Sequence, residues 1–303
     1  MSLTSGSGTL QGTTTVDIGT SAGNGTAAFS NLRIDSGGTG KQLTASATGL
    51  TSGTSAAFTV NAGPAASLAI QTQPPATATA GIAFSPAPAV RILDAFGNLA
   101  TTDNSTVITA TRSLGTASLQ GTTFATAVNG VATFSNLSYN KAEAMTIAFS
   151  SGSLTGATST SVTVNSGAAS KLTIQTQPST ATAGVAFAPQ PVIRVEDASG
   201  NLVTTDNGRT ITVARSAGTG TLQGTLTATT VNGIATFANL SHNVANTITL
   251  SFTATGLTSV TSGNVVVSPA AFAKLQLLVP GETAAPGTVS GKTGTPSAQT
   301  EST

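Results

Sequence analysis

One phrase of about twenty residues occurs three times in this 303-residue chain and constrains its fold more than any other feature. The copies are LQGTTFATAVNGVATFSNL at 119–137, LQGTLTATTVNGIATFANL at 222–240, and the looser LQGTTTVDIGTSAGNGTAAFSNL at 10–32. Their spacing is roughly one hundred residues, which is too long for one turn of a solenoid and suits one small domain per copy. The sequence therefore predicts a tandem array of similar domains.

The repeats divide the chain into four segments. Residues 1–63 match the later part of a repeat, whereas 64–165 and 166–267 are complete repeats. Residues 268–303 hold the first strand of a further repeat, predicted over 273–279, and then a Gly/Pro/Thr/Ser-rich tail. The linkers between segments are only a few residues long, and such linkers restrict how far neighbouring domains swing. We therefore expect an extended, semi-stiff rod.

The hydrophobic pattern is that of short strands. Hydrophobic residues make up 39% of the chain, and they alternate with Thr and Ser at the period of two that half-buried strands require. Asn129-Gly130 and Asn232-Gly233 each join two alternating runs and predict two-residue hairpins. Seven or eight such strands per repeat, without helical periodicity, predict tandem immunoglobulin-like antiparallel β-sandwiches.

A second pattern recurs once in each full repeat. A Val/Ile-rich strand is followed by Asp-x-x-Gly-Asn at 94–98 and again at 197–201. Asp can accept hydrogen bonds from the backbone ahead of it, and Gly can adopt positive φ. We expect structural turns at Asp94, Gly97, Asn98, Asp197, Gly200 and Asn201. The recurring aromatic residues between small residues are expected in the core, at Phe29, Phe134 and Phe237.

Composition argues against several classes of partner. Charged residues are 7% of the chain and its net charge is +1, so the basic surface that nucleic acid or anionic lipid requires is not expected. There is no Cys, so the chain contains neither disulfides nor thiolate metal sites. No apolar run approaches the ~20 residues that span a bilayer, and the first residues do not resemble a signal peptide. We expect no membrane insertion.

Carboxylates recur near the ends of the full repeats and leave two interpretations open. Several hard oxygen ligands in one place are what Ca²⁺ prefers, but the same side chains can simply cap turns. The candidates for either role are Asp94, Asp103, Glu196, Asp197 and Asp206. No other cofactor is expected.

The single histidine invites a catalytic interpretation. His242 lies in Ser-His-Asn, but the matching triplet of the earlier repeat is Ser-Tyr-Asn around Tyr139. A position that accepts either ring is most simply a half-buried aromatic site, and no acidic residue is placed to orient an imidazole. We therefore expect a protein that is not an enzyme.

The repeated pattern resembles a known family. The Val/Ile strand, Asp-x-x-Gly-Asn and, about thirty residues later, Asn-Gly-x-Ala-Thr-Phe-x-Asn-Leu resemble the bacterial immunoglobulin-like modules of invasin and intimin type adhesins. They also resemble the tandem modules of very large repetitive surface proteins. The resemblance covers both full repeats and part of each flank. It implies a location outside a bacterial cell, at its surface or secreted, and a role as a stalk, because most modules of that family are spacers.

Three functions remain open on the sequence alone. The first is a structural spacer whose partners are the neighbouring repeats of the same protein. The second is a module that binds a carbohydrate or a protein receptor. The third is a fibre subunit, in which the strand at 274–279 of one chain completes residues 1–63 of the next by strand addition.

Overall fold

A computed structural model describes residues 1–17, 25–271, 276–285 and 290–298. Strands and turns make up this part of the chain, and no helix occurs in it, which confirms the predicted all-β fold of antiparallel sandwiches. None of the described segments is a helix that could cross a membrane. The chain falls into two compact units, Met1–Asn165 and Ser166–Thr303, which are described separately.

Residues 1–63 form one four-stranded and one two-stranded sheet within their described part. The strands are β1 (Ser2–Ser5), β2 (Leu10–Gln11), β3 (Arg33–Ile34), β4 (Gly38–Ala45), β5 (Gly53–Thr54) and β6 (Phe58–Val60). β4 pairs antiparallel with β1, β5 and β6, and β2 pairs antiparallel with β3.

The first full repeat folds as two facing sheets and a two-stranded sheet. Its strands are β7 (Ala65–Thr72), β8 (Thr77–Thr79), β9 (Ala89–Asp94), β10 (Val107–Leu114), β11 (Leu119–Gln120), β12 (Phe124–Thr126), β13 (Val131–Thr133), β14 (Ser138–Tyr139), β15 (Ala144–Ser150), β16 (Ala157–Thr158) and β17 (Val162–Asn165). One of the facing sheets has the order β13-β9-β7, and the other has the order β12-β10-β15-β17-β8, whereas β11 and β14 form the two-stranded sheet. All pairs are antiparallel except β8 with β17, which run parallel.

The second full repeat has the same topology. Its strands are β18 (Ala169–Thr176), β19 (Thr180–Thr182), β20 (Val192–Asp197), β21 (Thr210–Ala217), β22 (Leu222–Gln223), β23 (Thr227–Thr229), β24 (Ile234–Thr236), β25 (Ser241–His242), β26 (Thr247–Thr253), β27 (Val260–Thr261) and β28 (Val265–Ser268). The sheet orders β18-β20-β24 and β19-β28-β26-β21-β23 repeat those of the first copy, including the parallel pair β19 with β28.

The final segment differs from the sequence prediction. Of the strand predicted over 273–279, residues 273–275 lie outside the described part, and residues 276–279 are not in a strand. The predicted tail instead contains a hairpin of β29 (Glu282–Ala284) and β30 (Lys292–Gly294). Glu282 accepts a hydrogen bond of 2.7 Å from Lys292 Nζ, a pair that composition alone did not indicate.

An aromatic pair joins the two sheets in each full repeat. Phe134 follows β13 and its ring centroid lies 5.2 Å from that of Phe149 on β15; Phe237 and Phe252 are 5.4 Å apart in the second repeat. All four rings are buried, and burial of such a side chain stabilises a fold by about 1.5–3 kcal/mol. Phe29 is only half-buried, since residues 1–63 contain no match to the strand that pairs with β13.

The hairpins predicted at the two Asn-Gly pairs have the expected backbone conformation. Asn129 and Gly130 have φ of 51° and 78°, and Asn232 and Gly233 have φ of 50° and 77°. Positive φ at both central residues gives the tight turn whose twist matches that of paired strands. The predicted pairing of the flanking strands is wrong, however: β12 pairs with β10 and β13 with β9, and β23 and β24 likewise pair in different sheets. Single bridges, Val128 with Val131 and Val231 with Ile234, close the two turns, so each turn passes from one sheet to the other.

The repeated phrase closes on itself through its asparagine. Asn136 Oδ1 accepts a hydrogen bond of 3.0 Å from Thr122 N, and Asn136 Nδ2 donates to Thr122 Oγ1 at 3.1 Å. Gly121 has φ of +82°, and a Cβ there would lie 2.1 Å from the carbonyl oxygen of Asn136. Only Gly permits so close an approach. The Gly of the phrase and its distant Asn are therefore one structural unit.

We predict that Gly121→Ala destabilises the first full repeat by at least about 2 kcal/mol, because the added methyl group must push the Asn136 backbone away. Urea unfolding followed by fluorescence of Tyr139, the only tyrosine of the chain, would measure this.

The matched control is Gly152→Ala. Gly152 also has positive φ, but a Cβ there meets nothing within 4 Å. Gly152→Ala should therefore lose only the free energy that an L-residue loses in the left-handed backbone conformation, about 1–2 kcal/mol. An equal decrease in the free energy of unfolding in the two variants would contradict the role given to the contact with Asn136.

Candidate functional site at the junction of residues 1–63 with the first full repeat

A buried turn stands where the first full repeat begins. β9 ends at Asp94, whose Oδ1 accepts hydrogen bonds from Phe96 N at 2.9 Å and Asn98 N at 2.8 Å. Its Oδ2 accepts from Gly63 N and from Asn98 Nδ2, both at 2.8 Å. Gly97 has φ of +81°, which completes the turn. The carboxylate therefore joins the linker at Gly63 to the turn that follows β9.

The surroundings of Asp94 favour its ionised form. Burial by itself would raise the pKa of Asp94, but the hydrogen bonds from Asn98, Gly63 and Phe96 outweigh burial and lower the pKa to about 2. A carboxylate that accepts several N–H groups is stabilised in its charged state. Asp94 is therefore a charged group that is only 3% exposed and has every oxygen supplied with donors.

The same turn recurs in the second full repeat. Asp197 accepts hydrogen bonds of 2.8 Å from Gly167 N and from Asn201 N, and one of 2.9 Å from Asn201 Nδ2. Burial acts to raise the pKa of Asp197, but the donors Asn201, Gly167 and Ser199 lower it overall. The Asp-x-x-Gly-Asn pattern thus builds a turn that captures the linker in front of each full repeat.

Asn98 reaches beyond its own repeat. Its Nδ2 donates to the carbonyl oxygen of Asp35 at 2.7 Å, and its Oδ1 accepts from Gly37 N at 2.7 Å. The side-chain amide of Asn98 therefore donates to and accepts from the backbone of the loop between β3 and β4, as a peptide group of a paired strand does. We name the five residues Asp35, Gly37, Gly63, Asp94 and Asn98 the junction clamp.

The calcium candidates lie at strand ends or beside turns, except Glu196 within β20, and they already have protein partners. Asp103 accepts hydrogen bonds from Thr106 and Ser105. Asp206 Oδ2 lies 2.7 Å from Arg209 Nε. Glu196 Oε1 lies 3.4 Å from Arg194 Nε. Asp94 and Asp197 serve the two linker turns. The described residues contain no group of three His, Cys, Asp or Glu that could hold a metal ion. Calcium binding at these positions stays a prediction.

Asp103 and Asp206 support the hairpins rather than the linkers. The carbonyl oxygen of Asp103 accepts a hydrogen bond from Gly130 N, and that of Asp206 accepts from Gly233 N, both at 2.8 Å. Burial acts to raise the pKa of Asp103, but hydrogen bonds from Thr106 and Ser105 lower it. The carboxylates proposed to share a calcium site therefore serve different places in each full repeat. Asp94 and Asp197 hold the linker turns, whereas Asp103 and Asp206 support the hairpin turns.

His242 and Tyr139 occupy equivalent buried positions with different partners. Tyr139 Oη accepts from Thr116 N and Ala117 N at 3.1 and 2.8 Å and donates to Glu143 at 2.5 Å. That bond, with those from Thr116, lowers the pKa of Glu143 to about 2. His242 Nδ1 lies 2.9 Å from the carbonyl oxygen of Val244, and its Nε2 has no hydrogen-bond partner in the described part of the chain.

Sequence reasoning missed several residues at this end of the repeats. Glu143 could have been found as an acid four residues after a buried tyrosine. Asp35 and Gly37 could not, because their backbone atoms rather than their side chains bind Asn98. Lys41 is fully buried and donates to the carbonyl oxygen of Ser7, although equivalent positions in the full repeats hold Met145 and Ile248.

No protein-family model matches the sequence, and no curated protein matches it. Among solved structures, the chain is similar to Yersinia pseudotuberculosis InvD at 17% identity and a TM-score of 0.31, over 72% of this chain and 62% of that one. It is similar to Yersinia pseudotuberculosis adhesin InvE at 15% identity and a TM-score of 0.28, over 66% and 58%. A beta-glycosidase from Bacteroides vulgatus is similar at 12% identity and a TM-score of 0.31, over 68% and 25%. This chain therefore spans less than two thirds of each, and such low scores carry no functional argument.

We predict that acid weakens the wild-type chain as the pH falls from about 4 towards 2. The pKa of Asp94 is about 2 in the folded state and near 3.8 in its ordinary state, so the folded form binds the proton less readily. The stabilisation is complete above the ordinary pKa and is lost as the pH falls through the folded value. Urea midpoints measured by Tyr139 fluorescence at pH 7, 4, 3 and 2 check this.

Asp94→Asn should lower the midpoint at pH 7 and flatten its dependence between pH 4 and 2. Glu143→Gln is the comparison variant: it removes the other carboxylate of this repeat whose pKa is lowered to about 2, so it should flatten the same pH range, but it leaves the linker turn intact. A pH profile of Asp94→Asn that parallels the wild type would show that the turn does not depend on the charge.

Proposed function

We propose that this chain is a non-enzymatic structural spacer, a stalk segment of a bacterial cell-surface or secreted protein. The junction clamp is the observation that carries the proposal. It ties residues 1–63 to the first full repeat by directed hydrogen bonds instead of leaving the linker free. The bacterial surface location rests on the resemblance of the repeated pattern to adhesin modules.

The clamp resists bending because three hydrogen bonds must break together. Rotation about the linker separates Asn98 from Asp35 and Gly37, and it pulls Gly63 away from Asp94. Each neutral hydrogen bond stabilises by a net ~0.5–1.5 kcal/mol, and bonds to a charged group by about 1.5–3 kcal/mol. The sum is well above thermal energy, so the linker is held in one arrangement.

The spacer function predicts a narrow distance distribution across this junction that Asn98→Ala broadens. The chain has no Cys, so cysteines placed at the exposed positions Thr51 and Ser153 can be spin-labelled selectively. Double electron–electron resonance on the full chain would measure the distribution. Asn98→Ala removes both side-chain hydrogen bonds across the junction and the one to Asp94, so the distribution should widen.

Gln120→Ala is the matched control. Gln120 is exposed, and among the described residues its amide donates only to the nearby carbonyl oxygen of Ser118, at 3.2 Å. A broad distribution in the wild type, or equal widths in the two variants, would refute a stiffened spacer.

The other functions give different outcomes. Binding of the full chain to one glycan class on an array, or to one receptor, would favour a ligand-binding module. Growth of the sedimentation coefficient with concentration would favour a fibre formed by strand addition.

A further inference from the structure

The loop that receives Asn98 has a counterpart at the far end of the second full repeat. β3 and β25 each pair with the Leu-Gln strand of their own repeat, with Ile34 opposite Leu10 and His242 opposite Leu222. The residues that directly follow these strands therefore correspond, and the one-residue difference in loop length falls before the matching positions Lys41 and Ile248. Asn243 and Ala245 stand where Asp35 and Gly37 stand in the junction clamp.

This second loop offers the same two backbone groups without a partner. Within the described part of the chain, neither the carbonyl oxygen of Asn243 nor the N–H of Ala245 takes part in a hydrogen bond. Asn243 is exposed and Ala245 is half-buried. An acceptor and a donor two residues apart match the N–H and carbonyl oxygen of a side-chain amide.

The loop is also fixed in place before any partner binds. Asn246 Nδ2 donates to the carbonyl oxygens of Val244 at 3.0 Å and Thr219 at 3.2 Å. His242 Nδ1 lies 2.9 Å from the carbonyl oxygen of Val244, and Gly184 N donates to that of His242 at 3.0 Å. A surface that is already ordered loses little conformational entropy on binding.

We propose that residues 243–246 form a docking surface for the Asp-x-x-Gly-Asn turn of a following repeat of the same kind. The Asn of that turn donates to the carbonyl oxygen of Asn243 and accepts from Ala245 N, as Asn98 does with Asp35 and Gly37. The inference rests on the proposed spacer function and names the partner and the contact by which the array is extended.

Amide hydrogen exchange of the full chain tests whether the loop is open. Gly37 N donates to Asn98, so its exchange should be at least about tenfold slower than that of Ala245, relative to unstructured peptides. Asn98→Ala should bring Gly37 to the rate of Ala245. Protection of Ala245 in the unmodified chain equal to that of Gly37 would overturn the proposal.

An added repeat tests the partner. Residues 61–165 would be inserted a second time between Val267 and Ser268, so that the inserted turn follows Val267 at the distance at which the turn of Asp94 and Asn98 follows Val60. Ala245 exchange should slow by about tenfold. Replacement of the inserted counterpart of Asn98 by Ala should reverse this, while the combined fluorescence of Tyr139 and its inserted copy reports that both copies of the repeat remain folded.

Two outcomes would overturn the proposal. In the first, the amide of Ala245 exchanges at the same rate in the extended chain as in the original chain. In the second, its exchange is slower in the extended chain and stays slow when the inserted counterpart of Asn98 is replaced by Ala. Either result, combined with a narrow distance distribution across the first junction, would leave the spacer function standing and remove only this docking surface.

Discussion

Asp94 is an ionised carboxylate withdrawn from water, and its four hydrogen bonds are what make that arrangement stable. An unpaired charge in such a position would be strongly unfavourable. The donors come from the linker, from the turn and from the Asn98 side chain. One group therefore fixes three parts of the chain, and Asn98 can reach the preceding segment only because Asp94 holds its amide in one orientation.

The two full repeats show which contacts tolerate change. Their linker turns and aromatic pairs have the same residue types and similar distances. The equivalent buried position holds Tyr139 in the first repeat and His242 in the second. Tyr139 has three partners, but His242 Nε2 has none within the described residues. The core position needs a ring of suitable size, and the hydrogen bonds around that ring are adjusted separately in each repeat.

Much of the fold followed from local patterns in the sequence. The Asn-Gly turns and the Asp-x-x-Gly-Asn turns depend on residues close in sequence, so residue type alone predicts them. The reach of Asn98 was not predictable, because its partners are backbone atoms some sixty residues away. The half-buried state of Phe29 and the β29–β30 hairpin were missed because both depend on which strands are available as neighbours.

The parallel pairing of β8 with β17 has a mechanical consequence. These strands lie near the two ends of the first full repeat, with Thr77 opposite Thr163 and Thr79 opposite Asn165. Tension applied at the start of β8 and the end of β17 pulls the two strands past each other along their length, so the hydrogen bonds between them share the load instead of breaking one after another. The second repeat has the same parallel pair in β19 and β28, so the same geometry of loading applies to it.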